Sequence, residues 1–355
     1  MRKILIKNGR VWDGYGFSTK DIYIESGRIS QMAESIDLPA QYTIDATEKT
    51  VLPGLVDMHT HVRGLAKETF SAYPDIGCLP FGVTTAVEAG AEFGDLAFMQ
   101  AQTVKLYAFC KVRVRDNHAI LEETDRLLSK YGQRTVGVKL YFDTRTTPVT
   151  DTTPIRELCS YAQERRLQVM IHCSQPPCSI AKIVDVLRPG DILSHAFEGG
   201  RHSAYEDDFR GLSMAKEKKV VLDGAFSGAG HLDIQLLAEA IRRGIQPDTI
   251  STDLTGRSSF KRGGRYGLTQ CMGVARLLGM PEEDVFRSVT TNPAACLGRK
   301  ECTGRLAVGG DADIAIIRWG HEPILLRDRA GNCLESEMGY RCTHTLINGE
   351  LVFVD

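Results

Sequence analysis

The chain has 355 residues, a formal net charge of −2 and 25% charged residues of mixed sign, which leaves no basic stripe for nucleic acid and no polyacidic tail. Aromatic residues make up 7%, too few for a base-stacking platform, and no stretch carries the 18 or so apolar residues a membrane helix needs. The length accommodates one α/β barrel of about 250 residues plus a small accessory domain. Ten cysteines are scattered without a CxxC pair, the usage of a reduced protein, and the start MRKILIKNGRVWDG has too short an apolar run for a signal peptide. A cytoplasmic location is therefore expected.

Residues 2–50 alternate short β-like runs with turns, as in KILIKNGRVWDG, DIYIESGRISQM and QYTIDATEKTVLPG. Residues 306–354 read the same way, with DADIAIIRW and CTHTLINGELVFV separated by Gly and Asn turns. Two β-rich flanks around a different middle predict a small β-sandwich domain built from both chain ends, residues 1–52 and 305–355.

The middle, residues 53–304, alternates strand-like and helix-like segments, the pattern of a parallel sheet with crossover helices. GLVDMHTHV, VTTAVEAG, KLYAFCKVRV, TVGVKLYF, LQVMIHC, DILSHAF, KVVLDGA and TISTDL are eight candidate strands. Helices are expected over DTTPIRELCSYAQERR and HLDIQLLAEAIRRG. Eight such repeats predict a (β/α)8 TIM barrel, whose catalytic groups sit where the strands finish.

Val51–Gly64, VLPGLVDMHTHVRG, ends the first of these strands in His59 and His61. Side chains two apart in a strand point the same way, so the two imidazoles would leave it as a chelating pair. Further polar residues fall on later strands: Lys139 in the fourth, His172 at the end of the fifth, His195 of the sixth and Asp253 of the eighth. Any one alone reads as a satisfied core residue, or in the case of Asp253 as a helix cap. Six converging on one barrel face are hard to explain as packing, because each buried polar group needs its own partner.

Lys139, in the apolar GVKLYF, is either salt-bridged to a carboxylate or, its charged form disfavoured by burial, a neutral amine that takes up carbon dioxide. The carbamate, N6-carboxylysine, would carry two anionic oxygens able to bridge two metals.

PGLVDMHTH, Lys139, His172, His195, the STD ending at Asp253 and the flanking GRLAVGGDADIAII together resemble the amidohydrolase superfamily, in its two-metal, carboxylated-lysine branch. TTAVEAG, GAGHLD, PDTISTDL and VTTNPAACLG are most similar to its dihydroorotase-like amidohydrolase/deacetylase members. The resemblance implies that His59, His61 and Asp253 hold the more buried metal, that His172 and His195 hold the other, and that carboxylated Lys139 bridges both. It implies two divalent ions, Zn2+ or Mn2+, carbon dioxide or bicarbonate for the lysine, a small-molecule substrate and a homo-oligomer.

The implied reaction is hydrolysis of a C–N amide bond, in an N-acyl or cyclic amide with carboxylesters of similar shape as further substrates. A metal-bridging hydroxide attacks and Asp253 shuttles the proton. Arg63 completes an HxHxR that would clamp a substrate carboxylate, or it pairs with an acid such as Glu88. His231, in SGAGH, either contacts substrate or starts a helix. The chain lacks the REPG that continues this motif in dihydroorotases, which argues against dihydroorotate itself. An isoaspartyl-type dipeptidase or a hydantoinase-like cyclic amidase shares the ligand set. A non-catalytic scaffold has no reason to keep six ligand-type residues at strand ends.

Overall fold

The computed structural model describes residues 2–62, 71–92, 96–227, 230–261 and 266–355. The chain opens with β1 (Lys3–Trp12), β2 (Phe17–Glu25), β3 (Arg28–Ala33), β4 (Tyr42–Asp45) and β5 (Thr50–Pro53). The parallel strands follow as β6 (Leu55–Thr60), β7 (Val83–Ala91), β8 (Lys105–Arg115), a short β9 (His118–Ile120) paired antiparallel to β8, β10 (Thr135–Phe142), β11 (Gln168–Cys173), β12 (Ile192–Ser194) and β13 (Val221–Asp223). It closes with β14 (Ile314–Arg327), β15 (Cys333–Ile347) and β16 (Glu350–Val354). No helix among the described residues is long and apolar enough to cross a membrane.

The parallel sheet runs β6-β7-β8-β10-β11-β12-β13. The eighth predicted strand, TISTDL, is not a continuous ladder. It bridges β13 through Asp223 and Thr249 and β6 through Thr60 and Leu254, each as a single parallel bridge. Gly224 N donates to Thr249 O at 2.9 Å and His61 N to Leu254 O at 2.8 Å, so the segment still closes the ring. The physical reason lies in its hydroxyls. Thr249 Oγ1 and Ser251 Oγ donate to Asp223 Oδ1 at 2.8 and 2.6 Å, and Thr252 Oγ1 to Asp57 Oδ2 at 2.6 Å. The same side chains also take backbone donors, Thr252 N donating to Asp57 Oδ1 at 3.1 Å and Ala225 N to Ser251 Oγ at 3.2 Å, and amides bonded in this way are not available to a regular ladder.

Alternation along each strand sorts its side chains between two cores. On β11, Val169, Ile171 and Cys173 join the outer core beneath the helices, while Met170 belongs to the core inside the barrel and His172 follows it on the inner face. On β10, Val138, Leu140 and Phe142 face outward, which turns Lys139 inward. Gly137, two residues earlier on the same face, has no room for a side chain, since a Cβ there would stand 2.3 Å from Gln168 O and 2.7 Å from Phe109 Cε1. The two predicted helices form over Thr153–Glu164 and Ile234–Arg242, the second capped by Asp233, whose carboxylate accepts from Leu236 N.

The second sheet runs β16-β15-β14-β5-β1-β2-β3, with β4 also on β1. Strands from both chain ends therefore share one hydrophobic core, including Ile4, Ile6, Ile22, Ile24, Ile314, Ile316 and Leu346. An antiparallel bridge between Arg28 and Asp311 curls its edge back on itself. The β14–β15 hairpin extends beyond this domain. Ile324, Leu326 and Tyr340 pack into the outer barrel core, and the turn at Asp328 reaches the barrel mouth, where Asp328 Oδ2 accepts from Ile234 N at 2.9 Å.

Candidate metal centre

The ends of β6, β10, β11 and β12 and the irregular eighth segment bring the six predicted ligands together. His59, His61 and Asp253 form one group and His172, His195 and His231 a second, with one ligand atom from each residue of a group within 4.8 Å of the others. Asp253 Oδ1 lies 3.1 Å from His61 Nε2 and 3.5 Å from His59 Nε2. The groups adjoin, since the His59 and His195 ring centroids are 5.0 Å apart. Lys139 is fully buried with Nζ 2.6 Å from His59 Nε2. His231, expected as a substrate contact or helix start, precedes its helix by three residues and sits against His195, with centroids 4.3 Å apart. Arg63 lies outside the described residues.

Two ligand-bearing turns are backbone outliers. His195 has φ 62° and Asp253 φ 49°, and Ala225, whose carbonyl lies 3.0 Å from His195 Nδ1, has φ 42°. Non-glycine residues in this region cost on the order of 1–3 kcal/mol each and cluster at functional sites, where surrounding structure holds them.

Four of the five imidazoles, all but His172, have an oxygen within 3.3 Å of Nδ1. His59 Nδ1 lies 2.7 Å from Ser194 Oγ and 3.3 Å from Asp223 Oδ2. His61 Nδ1 lies 3.3 Å from Glu88 Oε1, and the other oxygen of Glu88 accepts from Val62 N at 2.6 Å. His231 Nδ1 lies 3.1 Å from Glu198 Oε2. His172 turns Nε2 toward Asp143 at 3.8 Å, and Arg145 grips that carboxylate with Nε and Nη2. A carboxylate or carbonyl behind an imidazole fixes its tautomer and leaves the other nitrogen as a lone-pair donor, the support metal ligands ordinarily have. His195 Nε2 is buried with no hydrogen-bond partner among the described residues, which is costly for a polar atom unless something binds it. Nitrogen and carboxylate donors in this arrangement fit divalent zinc or manganese.

Charge agrees with that fit. Burial, then the Lys139 charge, lowers His59 to about 4 against the pull of Asp253 and Asp223. Burial lowers His172 to about 3, and burial with the neighbouring imidazoles lowers His195 well below its usual value. Burial raises Asp253, but attraction to His59 and His61 outweighs it and keeps the carboxyl well below its ordinary range. His59, His172 and His195 therefore stand as neutral imidazoles beside an ionised carboxylate, the forms that bind metal.

These shifts predict how the metal-free protein responds to acid. Between pH 6.5 and about 4 the unfolded chain protonates His59, His172 and His195 while the native chain does not, so stability is lost as pH falls. Asp57, raised by burial to about 7, acts in the opposite sense, one group against three. Glu198 and Asp253 hold His231 above its usual value despite burial, so its contribution is largely complete below pH 6.5 and changes little on further acidification. We expect the unfolding midpoint of chelator-treated protein to fall by several degrees from pH 6.5 to 5. A midpoint that is flat or rises would remove the neutral-imidazole assignment.

Sequence reasoning passed over the supporting acids Asp57, Asp143, Asp223 and Glu198, and saw Glu88 only as a partner for Arg63. A signal was present for some. Asp223 in KVVLDGA and Glu88 in VTTAVEAG are charges in apolar strands, as Lys139 is.

The model of the amidohydrolase family matches residues 50–352. A deacetylase of Brucella anthropi is 29% identical over 84% of this chain and 79% of its own length. A deacetylase of Agrobacterium fabrum is 28% identical over 96% of this chain and 88% of its own length. A crystal structure of a dihydroorotase superposes with a TM-score of 0.88 over 100% of this chain and 98% of that one, and at 24% identity it shows the shared fold of barrel and β-sandwich. With a family match over most of its length and two clusters of metal-ligating side chains at the barrel mouth, this chain belongs to the amidohydrolase family and is a metal-dependent hydrolase of C–N amide bonds.

Proposed function

We propose that the protein removes the acyl group from an N-acyl amide or opens a cyclic amide, using two divalent cations held by His59, His61, Asp253, His172, His195 and carboxylated Lys139. The observation that carries this reading is the fully buried Lys139 amine, 2.6 Å from His59 Nε2 and on the inner barrel face. The ammonium loses one proton to give the neutral amine, and adding carbon dioxide to that amine forms an N–C bond and releases a second. A buried cation thereby becomes an anion among imidazoles, supplying charge that two cations need. When bound, such a pair of Zn2+ or Mn2+ ions supplies an activated water near neutral pH and an electrophile for the carbonyl.

The chain's own residues do the rest. Asp253, ionised and aimed between His59 and His61, accepts the proton from the attacking water and returns it to the leaving nitrogen. Arg63 meets a substrate carboxylate, and His231 is within reach of the same substrate. Similarity to deacetylases over most of the chain supports an N-acyl substrate, and the absent REPG argues against dihydroorotate. The working form is a cytoplasmic homo-oligomer, as barrels resembling this one commonly associate.

The test is a screen of N-acetyl, N-formyl and cyclic amides, with matched carboxylesters, against protein reconstituted with zinc or manganese and bicarbonate. At least one N-acyl or cyclic amide is expected to turn over, and a chelator should abolish that activity. Turnover no higher than in metal-free protein across the whole set would overturn the reading.

A further inference from the structure

His231 is fixed by groups from two distant parts of the fold. Its Nδ1 lies 3.1 Å from Glu198 Oε2, and the Glu198 side chain is only 5% exposed. The other oxygen of Glu198 accepts from Arg329 Nη1 at 3.2 Å, 131 residues away in the turn of the β14–β15 hairpin. The neighbouring Asp328 anchors the helix that follows His231 by accepting from Ile234 N, and Asp233 N donates to Phe197 O at 3.0 Å. The imidazole is thus clamped at Nδ1 by a buried, ion-paired carboxylate, which leaves Nε2 as its free donor.

That ring stands among the second group of ligands. The His195–His231 and His172–His195 centroid distances are both 4.3 Å, and His172–His231 is 5.3 Å. One ligand atom from each of the three lies within 4.8 Å of the others. Two nitrogens bound to one zinc at 2.0–2.1 Å are about 3.3–4.2 Å apart, so small side-chain movements would bring all three onto a single ion. His195 contributes the buried unpartnered Nε2. A carboxylate behind a histidine's far nitrogen is the support that metal-bound imidazoles have, and His231 shares it with His59 and His61.

We propose that in the substrate-free enzyme His231 is a third imidazole ligand of the metal held by His172 and His195, oriented by Glu198 and, through it, by Arg329. This rests on the two-cation reading above and extends it. The metal beside the substrate then starts with three protein nitrogens, and His231 becomes a substrate contact only by giving up its place.

The experiment compares wild type with His231→Gln, His231→Ala and Glu198→Gln after loading with Co2+ and bicarbonate. Readouts are metal per chain, release of cobalt to a chelator and the visible cobalt spectrum. Wild type should hold about two cobalt ions. The His231 variants should release one of them much faster, with an altered spectrum and the other ion unaffected. Glu198→Gln keeps the shape but removes the charge behind Nδ1, and should speed the same release about 10–100-fold. It carries the test should a His231 variant fail to fold, as judged by circular dichroism. Variants with wild-type cobalt content, release and spectrum would overturn the ligand role while leaving the two-metal reading intact. Wild type that binds no cobalt would overturn both.

Discussion

Lys139→Ala is expected to lower bound divalent metal from about two ions per chain to one or fewer. Turnover should fall by more than the roughly 100-fold typical of losing an outer partner of a metal ligand. The argument is electrostatic. Among the described residues Lys139 is the one fully buried lysine, and its amine lies against His59 rather than at the protein surface. If it carries a carbamate, its removal deletes two anionic oxygens from between the cations. If it is an unmodified lysine, its removal deletes a positive charge, and metal binding should improve or stay the same. The two cases thus differ in sign. Wild-type protein prepared in 13C-bicarbonate should show a carbamate carbon signal that the variant lacks. Added acetate or propionate, small enough to enter the vacated space, should restore part of the activity and metal. A variant that keeps both ions and near wild-type turnover would end the bridging role.

Asp253→Asn should reduce kcat by about 10²–10⁴, the range for losing a positioned acid–base group. Asparagine preserves shape and an oxygen donor, but cannot accept a proton and carries no charge. Asp253 Oδ1 touches the Nε2 atoms of both His59 and His61, and its backbone sits at φ 49°, a conformation asparagine also tolerates. The substitution therefore tests proton transfer and charge rather than folding. One ion should be held more weakly, and measuring at saturating metal separates that effect from the loss in kcat. An asparagine variant with more than a tenth of wild-type kcat at saturating metal would remove the shuttle assignment.

The helix over Ile234–Arg242 and the inward turn of Lys139 and His172 are legible because they follow from local periodicity alone. TISTDL reads as an ordinary strand, yet it joins its neighbours by single bridges. Its Thr249 and Thr252 hydroxyls are spent on Asp223 and Asp57, 26 and 195 residues away. A hydroxyl's partner cannot be inferred from the residues beside it.

The sequence by itself determined which residues could serve as ligands and on which strand each would stand. An apolar strand that carries an inward polar residue displays both facts within six or eight positions. Only the tertiary structure decided what stands behind each ligand: Asp223 behind His59 across 164 residues, Glu88 behind His61, and Glu198 with Arg329 behind His231. It also set His231 beside His172 and His195. The reason is that alternation fixes the face a side chain takes, whereas its partner on that face is set by how the barrel closes and where a hairpin from the other domain lands.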